Sequence, residues 1–296
     1  MKPSFFAASA LVALPLITLP ALAQQAPEGL RQVQPVSQGR EDVAVQGFEA
    51  PAVVDPAHED DATELKLSAG GLLTSGNTST LAVTSAGRFR SRRGMNQLSA
   101  AASANYGEAA PPGTDDRQTN VENYQGRIRY DRFLTPGVAL FIALSALHDR
   151  FQGLEMRLNL DPGLALYMVD EPKHRLWLEL GYDLQQDYRT REAIDLALAE
   201  DNVVLERTEV RHSGRFFAGY SNNLSEAVTF DTGLEYLQAF TETENYRLNW
   251  DVGLTSSIGG NFSLGAAFNL RYDHNPLPGI RTTDTTTSMS LIYQLL

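Results

Sequence analysis

The chain contains no cysteine. A disulfide framework, a thiolate metal site and a cysteine nucleophile are therefore excluded. It also lacks a helix able to cross a bilayer, which takes about 20 apolar residues; the stretch from Phe5 to Ile17 is too short and is broken by Pro15. With 43% hydrophobic and 20% charged residues and a net charge of −12, the composition is too polar for a helical membrane protein. Positive charge is scarce and dispersed, so no basic patch marks a nucleic-acid partner. Enzyme motifs are sparse as well. A lipid-cleaving barrel needs a His and a Ser on one wall. His212-Ser213 is the only adjacent pair, and neighbours on a strand point to opposite faces. His148, His174 and His274 stand singly near strand ends. Gly76-Asn77 reads as a turn rather than a phosphate loop. No catalytic residue, metal ligand or cofactor is expected.

Three regions differ in composition. Residues 1–23 carry Lys2, the apolar stretch and Ala21-Leu22-Ala23, the features of a cleaved signal peptide with Gln24 as the mature start. Residues 24–63 are rich in Gln, Pro, Ala and acid, with eight acidic residues against two basic ones. Such a segment cannot offset its ordering entropy, and it is expected to be a disordered acidic periplasmic leader. His58 beside Glu59, Asp60 and Asp61 belongs to that solvated run rather than to a metal site.

Residues 64–296 are expected to form an all-β, transmembrane antiparallel β-barrel. The pattern is clearest over 245–272, NYRLNWDVGLTSSIGGNFSLGAAFNLRY. Tyr246, Leu248, Trp250, Val252 and Leu254 share one parity, opposite Arg247, Asn249, Asp251 and Gly253. After the Gly-Gly-Asn turn, Phe262, Leu264, Ala266, Phe268, Leu270 and Tyr272 repeat the apolar face. A run of about ten alternating residues with aromatics at its ends fits a bilayer-crossing strand with a lipid face and a water face. An edge hairpin of a soluble sandwich alternates in the same way, so the number of such runs has to decide. Similar runs fall at 64–74, 78–92, 95–107, 119–134, 138–151, 154–169, 174–190, 209–220, 227–240 and 282–296. That makes about a dozen strands, an even number, joined alternately by tight turns and by longer loops, as in outer-membrane barrels. Pro162 interrupts one strand and is expected to mark a bulge. Residues 191–206 are expected to form an irregular or partly helical external loop, with Ile194, Ala197 and Leu198 on one helical face.

The polar parity is the informative surface. Glu155 and Arg157 fall on it, and its lumen-lining candidates are Glu179, Asp183, Arg211, Arg215, Asp231, Glu235, Asp251 and Arg271. Eight strands leave a lumen filled by side chains and about sixteen leave an aqueous channel, so a dozen lies between. Matching the apolar faces of 209–220 and 227–240 sets Phe216 opposite Phe230, Arg215 opposite Asp231 and Arg211 opposite Glu235. Arginine placed on the apolar parity, at Leu178 or Leu264, is expected to be costly, and at Asn269 mild.

Three segments carry a family resemblance. Residues 72–80, LLTSGNTST, 122–135, ENYQGRIRYDRFLT, and 149–167, DRFQGLEMRLNLDPGLALY, are similar to motifs of the YdiY-like salt-induced outer-membrane protein family. Leu164-Ala165 departs from that pattern, where a second Gly is usual. The resemblance implies an outer-membrane barrel associated with envelope or osmotic stress and supplies no catalytic residues. The end, Tyr293-Gln294-Leu295 with Leu296 overhanging, resembles the outer-membrane insertion signal with Leu for Phe. The expected partners are outer-membrane lipid, the barrel-assembly machinery during insertion, and small solutes or ions. The leading functional expectation is a narrow passive channel; a plugged barrel with a structural or surface role is the alternative, and an envelope lipid enzyme a distant third.

Overall fold

The computed structural model describes residues 63–74, 79–110, 116–171, 173–277 and 281–295. The expected signal peptide and all but the last residue of the leader lie outside them. Twelve strands follow one another: β1 Thr63–Thr74, β2 Ser79–Arg93, β3 Asn96–Ala110, β4 Gln118–Thr135, β5 Val138–Asp149, β6 Leu154–Asp170, β7 His174–Arg189, β8 Thr208–Asn223, β9 Val228–Ala239, β10 Tyr246–Gly259, β11 Phe262–Asp273 and β12 Thr283–Gln294. Each pairs antiparallel with its chain neighbours, and β1 pairs with β12 to close a barrel. Closure removes every free sheet edge, which is what permits strands to cross hydrocarbon.

Parity sorts side chains between the two faces. On β5, Ala139, Phe141, Ala143 and Leu147 are buried while Leu140, Ile142 and Leu144 are exposed. On β7, Trp177, Glu179, Asp183, Gln185, Asp187 and Arg189 are buried, and Leu180 between them is 53% exposed. The protein therefore has polar and charged groups inside and large aliphatic groups outside, the reverse of a soluble domain. Aromatic pairs stand on the outer face near both rims. Tyr124 stacks on His148 and Tyr246 on His274 at one end; His174 pairs with Tyr220 and Phe262 with Tyr293 at the other. The histidines that look solitary in the sequence are thus tyrosine partners in two interfacial girdles.

Connections sort as the sequence leads one to expect. One end carries the short turns 94–95, 136–137, 171–173, 224–227 and 260–261; the other carries the longer loops, including 190–207, 240–245 and 274–282. Within 190–207, Arg191–Asp201 forms an α-helix, α1. The Thr190 side chain caps it by accepting from the Ala193 N–H at 3.2 Å. The Thr190 N–H in turn donates to the Gly153 carbonyl. Gly153 is left-handed at φ 69°, and a Cβ there would meet the Ala193 side chain at 2.7 Å, so glycine is what lets α1 dock.

Two local expectations are corrected on β6. Pro162 marks no bulge: the β6–β7 register is the same at Leu160–Leu184 and at Gly163–Gly181, and only the intervening pairs are missing. A proline removes one N–H from the ladder without adding a residue. The irregularities lie instead at 154/156 and 167/169. The first of them turns Leu154 inward, where it is buried, and sends Glu155 outward to an exposed ion pair with Arg207 at 2.9 Å. Glu155 therefore does not share the face of Arg157.

Candidate functional site: the barrel lumen

The inner face is built in layers. Towards the short-turn end, Phe133 (β4), Phe141 (β5), Tyr167 (β6), Trp177 (β7) and Phe217 (β8) form one buried cluster with Ala139 and Ala165. Glycines make room for it. A Cβ on Gly219 would overlap the Trp177 ring, and a Cβ on Gly163 would overlap Phe141. The cluster fills the lumen against one half of the wall.

A charged layer rests on these rings. The Arg129 guanidinium lies 4.1 Å from the centre of Phe141, and that of Arg92 lies 3.8 Å from Phe133. Arg129 forks onto Asp131 at 2.7–3.1 Å and reaches Glu179 at 2.6 Å. Glu179 also accepts from Arg215 at 2.8 Å; Arg215 donates through Nε to Glu235 at 2.7 Å, and Glu235 accepts from Asn249 at 2.7 Å. The chain of contacts runs from β4 through β7, β8 and β9 to β10. Its link from β4 to β7 skips two strands, so it crosses the lumen rather than following the wall. Asp183 accepts from Asn159 at 2.6 Å and lies 3.7 Å from Arg247, a second crossing contact. Closer to the long loops, Arg157 binds Asp187 through two 2.7 Å bonds, and Glu209 receives both Arg189 and Arg211. Buried charges persist only when paired, and apart from the longer Asp183–Arg247 contact the pairs described here are hydrogen-bonded.

All eight sequence candidates lie on the inward parity, but two expected partnerships are wrong. Asn222, not Phe216, faces Phe230, and Arg215 is level with Leu237. Arg215 is bound to Glu179 and Glu235 instead of Asp231; Arg211 is bound to Glu209 of its own strand instead of Glu235. The β8–β9 ladder continues to Asn223–Thr229, so the turn sets the register. Apolar matching cannot, because any even shift preserves parity. Asp231 sits apart, near Lys66 and Arg88. Asn269 is also misjudged as a tolerant position: it is 1% exposed and donates to Asp251 at 2.5 Å.

Sequence reasoning overlooked Arg129, Asp131 and Asp187, and placed Arg247 on the polar parity without counting it among the lumen candidates. The signal was present in β4, where Asn123, Gln125, Arg127, Arg129 and Asp131 form an unbroken polar parity opposite Tyr124, Ile128 and Tyr130. The aromatic layer also had a signal, since Trp177 and Phe217 interrupt the polar parity of their strands.

On the other half of the wall, β10 to β12 with β1 and β2, small side chains such as Ser68, Ala86, Gly253, Ser263, Gly265 and Ala267 gather towards the short-turn end. A cavity of about 130 Å³ opens there at the short-turn end, lined by Lys66, Ser68, Arg88, Asp231, Gly253 and Ser263 among others. A second, of about 100 Å³, lies at the long-loop end, with Arg157, Arg189, Arg211, Arg247, Arg271 and Arg281 in its lining. Along β10 the inward residue between them is Asp251. It is fully buried and holds Arg271 at 2.6 Å.

The model of the family described as Protein of unknown function, DUF481, matches residues 67–295. The chain belongs to that family. A DUF481 barrel therefore accounts for all the strands described above except the first residues of β1. The uncharacterized protein YdiY of Escherichia coli (strain K12) is 27% identical over 244 residues, which is 81% of this chain and 86% of the relative. Among solved structures, the NanC porin aligns with 79% of this DUF481 chain and 100% of its own at 10% identity and a TM-score of 0.48. The COG4313 outer membrane channel from Pseudomonas putida F1 aligns with 82% and 100% at 8% identity and a TM-score of 0.43.

Proposed function

We propose that this barrel resides in the outer membrane and provides a narrow, off-axis passive pathway for small polar solutes or ions. The observation that carries the proposal is the pair of cavities, one towards each end of the lumen: inward residues of β10 and β11 line both, and on β10 the single residue Asp251 stands between them. The outer aliphatic belt and its two aromatic girdles support residence in a bilayer, and the loop asymmetry supports short turns on the periplasmic side. Outer-membrane lipid and the barrel-assembly machinery are then its partners. Planar-bilayer recording of the purified protein tests the pathway: small, steady unit currents are expected. Absence of current would favour the second reading, a plugged barrel, for which the cross-lumen chain from Arg129 to Asn249 is the specific support.

We read the barrel as non-catalytic. Ser213 is buried on the inner face, whereas His212 is exposed outside and bonded to the Tyr182 hydroxyl. The association with salt or osmotic stress, implied by the resemblance to the YdiY-like family, is part of the proposal. Protein abundance rising with external salt would support it, and abundance independent of salt would remove it.

A further inference from the structure

We infer that Asp251, Asn269 and Arg271 form the narrowest layer of the pathway and set its charge preference. The inference rests on the channel reading above and adds the place and chemistry of its control point. Register gives the geometry. Thr255 is level with Gly265, Gly253 with Ala267, Asp251 with Asn269, and Asn249 with Arg271. Going inward from the short-turn end, the side chains shrink at Gly253, Gly265 and Ala267, which leaves the first cavity. At the next level they lengthen, and the first cavity gives way to a constriction.

This level is held together by its own bonds. Asn269 donates to Asp251 Oδ1 at 2.5 Å, and Arg271 Nη1 reaches the same oxygen at 2.6 Å. Arg271 also donates to the Leu270 carbonyl at 3.0 Å, which pins the guanidinium against the wall. Asn269 lines the short-turn cavity and Arg271 the long-loop cavity, so the cluster touches both spaces. As a pair, Asp251 and Arg271 are neutral. Fixed charge at the narrowest level of a pore governs which ions pass. Removing either member would therefore bare a charge of known sign at that level, and the permeant species it would sort are small monovalent anions and cations.

Recordings on the full chain in a KCl gradient, with Asp251→Asn and Arg271→Gln, test this. Asp251→Asn should shift the reversal potential towards chloride and Arg271→Gln towards potassium, each by about threefold or more in permeability ratio. Opposite signs are the diagnostic result. A structural defect would change both variants alike, so shifts of the same sign, or none in a conducting protein, would overturn the inference. Thiol labelling gives a second readout that needs neither of these variants to fold, because the chain has no cysteine of its own. A charged methanethiosulfonate should modify Thr255→Cys only from the short-turn side and Thr282→Cys only from the long-loop side. Reaction of Thr255→Cys from both sides would remove the constriction and leave the channel reading intact. Failure of both cysteines to react from any side, with no current in the parent, would instead remove the channel reading itself.

Discussion

Glu179 shows how single residues carry the lumen. Its carboxylate is 3% exposed and takes one bond from Arg129 and one from Arg215. Substituting Glu179→Gln would take one of two carboxylate partners from each of Arg129 and Arg215, which keep Asp131 and Glu235, and weakening buried pairs in this way costs up to about 3–5 kcal/mol. Urea unfolding in lipid vesicles, followed by the fluorescence of Trp177 and Trp250, should show a loss of that size; a loss below about 1 kcal/mol, the surface-pair range, would mean that water reaches the network. Gly219 carries the layer beneath. Gly219→Ala would drive a methyl into the Trp177 ring, and overpacking of this kind costs about 1–3 kcal/mol. The outer face obeys a different solvent. Leu180 is 53% exposed in the middle of the apolar belt, so Leu180→Arg should cost roughly 2–4 kcal/mol in bilayers, whereas Leu264→Arg, two residues from Phe262 of the short-turn girdle, should cost about 1 kcal/mol or less. Equal effects at belt and rim in the same unfolding assay would mean that the belt does not face hydrocarbon.

At the scale of elements, what was legible depended on period. The alternation of β10 and β11 reads directly because every second residue is apolar from Tyr246 to Leu254 and from Phe262 to Tyr272. Residues 191–201 are harder, since Ile194, Leu196 and Leu198 also fit a strand. In the helix that forms, Ala197 is buried and both Leu196 and Leu198 are exposed. Its start is decided by the Thr190 cap and by the space over Gly153, a contact between loops that no local pattern displays. Thr190→Ala should therefore cost about 1 kcal/mol, confined to α1. Hydrogen exchange should quicken over 191–201 and stay unchanged in β7 and β8; quickening in both strands would mean that the helix braces the barrel. The β8–β9 pair failed in the opposite way. Its parity was legible and its register was not, since Phe216 and Asn222 lie at an even spacing.

For the whole molecule, closure is the decisive event. Among the described residues the β1–β12 register runs from Lys66–Gln294 to Ala69–Leu291, with one further bond from the Leu295 N–H to the Leu65 carbonyl, whereas β1–β2 pairs along the full length of β1. Gly70 stands at the end of the paired stretch, where a Cβ would come within 2.7 Å of the Met289 carbonyl oxygen. Gly70→Val should therefore impair closure more than assembly of the remaining strands, visible as loss of heat-modifiable migration on gels. Among the described residues, every strand pairing of the barrel lies between Thr63 and Gln294. A chain starting at Thr63 is accordingly expected to fold into detergent or lipid with unchanged heat-modifiable migration; failure to do so would assign residues 24–62 a part in assembly.

Sequence alone determined the parity of the strands, their number and the sorting of turns from loops, because each follows from a period of two and from local turn chemistry. It also determined that charges lie on one face and large aliphatic groups on the other. Only the tertiary structure decided which charges meet. Arg129 and Glu179 are fifty positions apart and come together across two intervening strands. A pattern with a period of two is unchanged by every even shift, so partners across the lumen exist only once the turns have set each register and the first strand has found the last.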